Sequence, residues 1–129
     1  MDRSLVDLMP FAQRLGIDLL STEKDKIVAQ VVVSEELCTT GHIMHGGAMM
    51  AFADTLGAIG AFMNLPEGKS GTTTIESKTN FLGSAKEGTV IRAECRPIHV
   101  GRRTSVWQTR LAGDGDKPIA LITQTQLVL

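Results

Sequence analysis

Hydrophobic spacing along the chain changes its period several times, and each change marks an element. Near the start, Leu5, Leu8, Met9, Ala12 and Leu15 recur at helical spacing over residues 3–15, and Gly16 is a natural stop. This predicts a short amphipathic helix with Pro10 as an irregularity inside it. The run 27-IVAQVVVS-34 reads as a strand, preceded by another across 17-IDLLST-22, with the polar connection 23-EKDK-26 between them. Residues 35–46 read as loop.

The stretch 41-GHIMHGGAMMAFADTLGAIGAFMN-64 then breaks the pattern. From Ala48 to Met63 every position is apolar or small except Asp54 and Thr55, so a helix over roughly 47–63 is greasy on all sides and needs protein around it. The break 64-NLPEGKSG-71 ends it. Beyond that point the period is two. In 72-TTTIESKTNFL-82, Thr73, Ile75, Ser77, Thr79 and Phe81 alternate with Thr74, Glu76, Lys78 and Asn80. In 89-TVIRAECRPIHV-100, Ile91, Ala93 and Cys95 alternate with Arg92, Glu94 and Arg96. Residues 103–112 set Trp107 and Leu111 opposite Gln108 and Arg110, and 118-PIALITQTQLVL-129 is a last strand. Between these two, 113-GDGDK-117 reads as a hairpin turn of the Asp-Gly type.

This order belongs to the α+β class, with one buried helix on a face of a mostly antiparallel sheet. One face covers only part of such a helix, and a second subunit would cover the rest. The 129 residues, without repeat or linker, form a single domain over 1–129. A formal net charge of −1 and a 4% aromatic content argue against nucleic acid as a partner. Asp7, Pro10 and Arg14 interrupt any signal-peptide core, and Cys38 and Cys95 lack CxxC spacing. The expected setting is cytoplasmic, with both thiols reduced. A membrane span is not expected either. A helix over Ala48–Met63 reaches about 24 Å at 1.5 Å per residue, short of the hydrocarbon layer, and carries Asp54 at its centre.

The chemistry of the greasy segment lies at its two polar features. Gly46 and Gly47 stand where the helix begins, where backbone amides lack intrahelical partners and the dipole is positive. Without a Cβ they let a substrate oxygen approach, as an oxyanion would. Packing glycines are the commoner use of such a pair. Asp54, if buried and unpaired, is costly, so it must find partners or resist ionising. It is either a satisfied structural group or a general base or nucleophile facing a small polar pocket. Gly46 and Asp54 are about 12 Å apart along one helix and cannot both touch one carbonyl. Two such helices packed antiparallel at about 8–10 Å would bring the Asp of one to the glycines of the other, giving two equivalent composite sites in a C2 dimer.

His45-Gly46-Gly47-Ala48 followed by Phe52-Ala53-Asp54 resembles the HGGA…(L/F)AD signature of hotdog-fold acyl-CoA thioesterases of the PaaI type. The acid stands nine positions after the histidine, as in that family. Downstream, 80-NFLGSAKEG-88 resembles the family's strand and turn, and 99-HVGRR-103 its H-x-GR turn; the similarity spans about residues 30–129. The resemblance implies a helix wrapped by a curved antiparallel sheet, and a homodimer often paired again into a homotetramer. It also implies hydrolysis of an acyl-CoA to the acid and CoA without metal or redox cofactor. Asp54 would activate water or attack the thioester, the amide of Gly47 or of Gly46 would polarise the carbonyl across the dimer, and His45 would shape the helix start. The family carries Asn or Gln where this chain has Thr39, whose hydroxyl hydrogen-bonds but reaches less far. Some members carry Ser or Thr where this chain has Ala58. Both departures imply modest activity or a changed substrate preference.

Lys78, Arg92, Arg96, His99, Arg102 and Arg103 form a basic set on the later strands. Arg92 and Arg96 read as a solvated sheet edge. In the 99–103 turn, two guanidiniums can grip phosphates, and the resemblance places the CoA nucleotide there, with Arg102 matching the family's arginine. Trp107 reads as core. A pocket lined by Met44, Met49, Met50, Phe52 and the 56–62 face would take the acyl group, methionines being adaptable, although core filling suits them equally. His42 and His45, three apart with Asp54 beyond, could suggest a metal site, but a catalytic zinc wants three converging protein ligands with an open position and the only other histidine is His99; Cys38 lacks a visible base. Two rival functions remain: a hotdog dehydratase acting on hydroxyacyl thioesters, and a non-catalytic acyl-CoA-binding protein.

Overall fold

The computed structural model describes residues 4–129; residues 1–3, and with them the first position of the expected 3–15 helix, lie outside the described residues. Instead of one N-terminal helix there are two short ones, α1 (Ser4–Asp7) and α2 (Pro10–Leu15). Pro10 is the reason. It has no N–H to donate and is tolerated at the first helical position, so it starts α2 instead of sitting inside a longer helix. Gly16 ends α2 in the left-handed region (φ 76°), donating to the carbonyls of Ala12 and Gln13.

Strands β1 (Asp18–Glu23) and β2 (Lys26–Val32) form the expected hairpin. The segment read as loop contains a 3₁₀ turn (Glu35–Leu37) and a small pair of strands, β3 (Cys38–Thr39) and β4 (Ile43–Met44). These lead directly into α3 (Gly46–Met63), followed by β5 (Thr72–Phe81), β6 (Val90–Val100), β7 (Thr104–Ala112) and β8 (Pro118–Val128). The β7–β8 connection is not a two-residue turn. It is a 3₁₀ turn over Asp114–Asp116 in which both Gly115 and Asp116 take positive φ.

Six strands make one curved antiparallel sheet in the order β1-β2-β6-β7-β8-β5, so β1 and β5 are its edges. Helix α3 packs against β2, β5, β6, β7 and β8, and α2 touches it from outside the sheet. The core between them holds Phe52, Leu56, Ile27, Ile91, Ala93, Cys95, Trp107, Leu111 and Ile122, all at most 1% exposed. Burying side chains such as Phe52 and Leu56 contributes roughly 1.5–3 kcal/mol each. Trp107 is core, as its spacing predicts, and its indole N–H donates to Ser105 Oγ at 2.9 Å. At 18 residues, α3 is long and apolar enough by composition alone to cross a bilayer, so the length argument made from the sequence does not hold; its packing is that of a core helix.

Two glycines let α3 come close to the sheet. A Cβ on Gly60 would stand 2.7 Å from Trp107 Cζ3, and one on Gly57 would overlap the Gln124 carboxamide. The period-two reading of β5 needs one correction. Thr74 pairs with Gln126 and Glu76 with Thr125, so Ile75 is an inserted bulge residue and the alternation flips across it. Thr74 therefore shares a face with Ser77 and Thr79 instead of opposing them. Residues directly opposite in an antiparallel pair lie on one face, and Gln126, Gln124 and Ile122 of β8 are buried beneath α3.

Candidate active site

The start of α3 is built by the β3–β4 pair. His45 N donates to Leu37 O and Met44 N to Ala85 O, both at 2.8 Å, which fixes the chain as it enters the helix. His45 is the N-cap: its Nδ1 accepts the Gly47 N–H at 2.8 Å, and its carbonyl accepts from Ala48 N and Met49 N. The sequence leaves the amides of Gly47 and Gly46 as equal candidates for an oxyanion donor, and the structure separates them. The Gly47 amide is taken by the cap, while the Gly46 N–H has no acceptor among the described residues. A Cβ at Gly46 would press against Phe81, 3.0 Å from Cε1. Thr39 is exposed and pairs with Ile43 in the same small hairpin, so it stands on the loop that feeds the helix start.

Asp54 lies two turns further along. The sequence suggests a buried carboxylate, and here the structure differs: in a single chain Asp54 is exposed. The apolar face around it, Ala51, Ala58 and Phe62, points away from the sheet, and the N-terminal helices cover it only in part, leaving Phe62 exposed. Of the two outcomes expected for this carboxylate, the structure supplies partners. Thr74 Oγ1 donates to Oδ1 at 3.3 Å, and Gln124 Nε2 lies 3.5 Å from both Oδ1 and the Asp54 carbonyl oxygen. Among the described residues no group bonds Oδ2.

An apolar cavity of about 360 Å³ opens one helical turn beyond Asp54, lined by Leu5, Leu8, Met9, Ala58, Ile59 and Phe62, with Thr72 at its edge. The pocket walls expected from the sequence are thus only partly right. The Ala58–Phe62 face does line a cavity, but Met44, Met49, Phe52 and Leu56 are buried in the core, with Met44 3% exposed. Met49, Phe52 and Leu56 lie on the side of α3 that faces the sheet, and Met44 on the strand that leads into it. The N-terminal helices supply the other wall, which the sequence does not suggest.

The basic set also divides. Arg102 and Arg103, in the β6–β7 turn, share a cleft of about 470 Å³ with Lys69, and among the described residues none of the three is ion-paired. Lys69 comes from the 64–71 loop, where no motif marks it. Ser70 N, donating to Leu129 O, fixes that loop beside the end of β8, and Val128 N donates to Arg103 O. His99 is exposed on β6, its ring lying over Gly101, whose Cβ would meet Nε2 at 2.8 Å. Lys78 is elsewhere: it sits opposite Thr123, about 16 Å along β8 from Val128 at 3.3 Å per residue, and does not line the cleft. Arg92 lines a separate cavity with Arg110 and Asp116, and Arg96 pairs with Glu94 at 2.6 Å.

His42 Nδ1 lies 3.0 Å from Glu87 Oε1 on the surface, while His45 caps α3, so the two histidines do not converge on Asp54. Both cysteines are free. Burial pushes the Cys95 thiol up to about 11. The Cys38 thiol is raised by partial burial and by the charges of Glu87 and Glu35. Raised thiols hold less of the thiolate that a nucleophile needs, and the Cys38 thiol donates to Ser34 O at 3.4 Å, with no base bonded to it among the described residues.

Known proteins share the fold. The sequence profile of the thioesterase superfamily matches residues 41–120. A 1,4-dihydroxy-2-naphthoyl-CoA hydrolase of Listeria monocytogenes is 28% identical over 113 residues, 88% of this chain and 90% of that protein. The crystal structure of a mutant thioesterase from Pseudomonas aeruginosa superposes with a TM-score of 0.90 at 26% identity, covering 98% of this chain and 91% of that one. The PaaI protein of the Escherichia coli phenylacetic acid degradation operon has the same fold, with a TM-score of 0.88 at 21% identity over 98% and 88% of the two chains.

Proposed function

This chain belongs to the thioesterase superfamily and is a thioester hydrolase of the hotdog fold, and from that premise we propose that it hydrolyses an acyl-CoA at a composite site shared by two copies of the chain. The observation that carries the reading is the Asp54 carboxylate. It stands on the open face of α3, anchored through Oδ1, with Oδ2 unengaged and an apolar cavity one turn away.

The acyl group occupies that cavity, whose walls are nearly all hydrocarbon. The CoA phosphates lie against Lys69, Arg102 and Arg103, where guanidiniums offer paired donors and the lysine a point charge. The thioester carbonyl points its oxygen at the Gly46 N–H of the second copy, at the positive end of α3. Oδ2 of Asp54 draws a proton from water, whose oxygen attacks the carbonyl carbon, or attacks that carbon itself. Either route gives a tetrahedral oxyanion held by the Gly46 amide, whose collapse breaks the C–S bond and expels the CoA thiolate; by the first route the free acid forms and the proton on Asp54 passes to the thiolate, and by the second a water then hydrolyses the acyl–Asp54 anhydride to release the acid. Thr39 and His45 frame the helix start from which the amide is presented.

The need for a second copy follows from distance. Gly46 and Asp54 lie about 12 Å apart along one helix, too far for one carbonyl. Antiparallel pairing of two α3 helices about a twofold axis closes that gap and covers the apolar stripe of Ala51, Ala58 and Phe62. If Asp54 of each copy meets Gly46 of the other, symmetry sets the midpoint, Met50, against its own counterpart on the axis. The edge strand β5, with exposed Ile75 and Phe81, extends the same open face.

The direct test is thiol release from short, medium and aromatic acyl-CoAs by the native protein and by Asp54→Ala. The expected result is turnover by the native protein that falls by at least about a hundredfold in the variant, the usual size of a general acid–base contribution. Turnover that survives the substitution removes Asp54 from the mechanism. Hydration of an enoyl-CoA in place of thiol release would move the chain to the dehydratase reading.

A further inference from the structure

Two glutamines on β8 are as deeply buried as the apolar core: Gln124 and Gln126 are each 1% exposed. Buried amides are costly unless both ends are bonded. Gln126 meets that condition. Its Oε1 accepts from Thr72 Oγ1 at 3.1 Å and its Nε2 donates to Thr74 Oγ1 at 2.7 Å. Thr74 in turn donates to Asp54 Oδ1. Every hydrogen in this chain therefore points one way, from Thr72 through Gln126 and Thr74 into the carboxylate, an order in which each bond polarises the next.

Gln124 does not meet it. Its Nε2 reaches Asp54 Oδ1 and the Asp54 carbonyl, but its Oε1 is buried and has no partner among the described residues. Room for this side chain exists only because position 57 is glycine, at the cost of helix propensity in the middle of α3. A leucine would fill the same space without an unpaired polar atom. An amide here is thus poorly explained by stability and well explained by its two contacts with Asp54.

We infer that Gln124, together with the Thr72–Gln126–Thr74 relay, positions the Asp54 carboxylate by binding Oδ1 from two sides, which reserves Oδ2 for the reacting water or carbonyl. The inference rests on the reading of Asp54 given above. Gln124, Gln126 and Thr74 are positioning residues, since they act through Asp54 and none of them lines the cavity assigned to the acyl group, which Thr72 only borders. Their role substitutes for support that Ala58 cannot give, because the residue one turn beyond the acid has no polar atom to offer. The Ile75 bulge belongs to the same device: without the inserted residue Thr74 would face away from α3.

The test is steady-state kinetics on Gln124→Leu, Thr74→Val, Thr74→Ser and Asp54→Ala, with the Gln124→Leu/Asp54→Ala double variant and thermal melts of each. Loss of positioning predicts that Gln124→Leu lowers kcat about ten- to a hundredfold with KM within about twofold, since small misplacements of a catalytic group carry costs of this size. Its melting temperature stays level or rises, because the unpaired Oε1 is gone. In the Asp54→Ala background the same change has no further effect on residual activity, which a purely structural role would not produce. Should Gln124→Leu fail to fold, the exposed position 74 carries the test: Thr74→Val lowers kcat at least about fivefold and Thr74→Ser recovers most of it. Native kcat in both Gln124→Leu and Thr74→Val, with Asp54→Ala inactive, overturns the positioning role and leaves Asp54 catalytic. Native turnover in Asp54→Ala overturns the catalytic reading and this inference together.

Discussion

The two sides of α3 are made of the same kinds of residue and do opposite work. Toward the sheet lie Phe52, Ala53, Leu56, Gly57 and Gly60, all buried, with two glycines pressed against Gln124 and Trp107. Toward the open side lie Gly47, Ala51, Asp54, Ala58 and Phe62, of which Gly47, Asp54 and Phe62 are exposed. Hydrophobicity does not distinguish the two sides, which is why the helix reads from sequence as greasy all round. Shape distinguishes them. The inner side is fitted to a surface already present in the chain, while the outer side is an apolar surface with one carboxylate, only partly covered by the N-terminal helices.

Four substitutions would break or sharpen this contrast. On the outer side, Asp54→Ala should remove roughly 3–5 kcal/mol of transition-state stabilisation yet shift stability by no more than about 0.5 kcal/mol, because the residue is exposed. Kinetics and a denaturant titration on the same preparation would show whether activity and stability separate in this way. On the inner side the order reverses. Gly60→Val drives a branched side chain into the Trp107 ring, 2.7 Å from where its Cβ must stand, and should destabilise by about 2–3 kcal/mol. A native melting temperature would show that the helix can lift from the sheet.

Met50→Glu addresses the outer side as a surface. Two added carboxylates meeting on the twofold axis should weaken self-association about tenfold, roughly 1.4 kcal/mol, read by sedimentation at several concentrations. Unchanged association would place the interface elsewhere. Thr55→Val lies between the two sides and should do least. Its hydroxyl only donates back to Ala51 O in the same helix, at 2.9 Å, so stability should move by less than about 0.5 kcal/mol.

Much of the fold is legible in the sequence because period and punctuation are local. The β1–β2 hairpin, α3 and the buried faces of β6 and β7 follow from spacing, and the His-Gly-Gly and Phe-Ala-Asp segments point to the family by themselves. What is not legible depends on pairings between distant residues. The Ile75 bulge turns Thr74 toward Asp54, and no alternation within 72–82 reveals it, because the extra residue is defined only against β8. Gln124 and Gln126 do carry a signal, standing in phase with Ala120 and Ile122 on the inward side of a strand, where two polar residues require an explanation. The exposure of Asp54 is hidden because its apolar neighbours along the chain are not a wall around it in space. Lys69 joins Arg102 and Arg103 only through the meeting of a loop with the end of β8.

The strand order has a consequence for how the molecule is made. Strand β5 pairs only with β8, and β8 follows every other described strand in the chain. As the polypeptide leaves the ribosome, Asp54 and Thr74 emerge well before Gln124 and Gln126 have been synthesised. Until then the carboxylate has neither of its amide-linked supports, and the inner side of α3 lacks the surface that Gly57 was shaped to meet. Pairings of such long sequence separation form late and slowly. A nascent chain would thus carry Asp54 without these supports until β8 emerges, and the geometry around the carboxylate would arise in one late step, when β8 slots between β7 and β5.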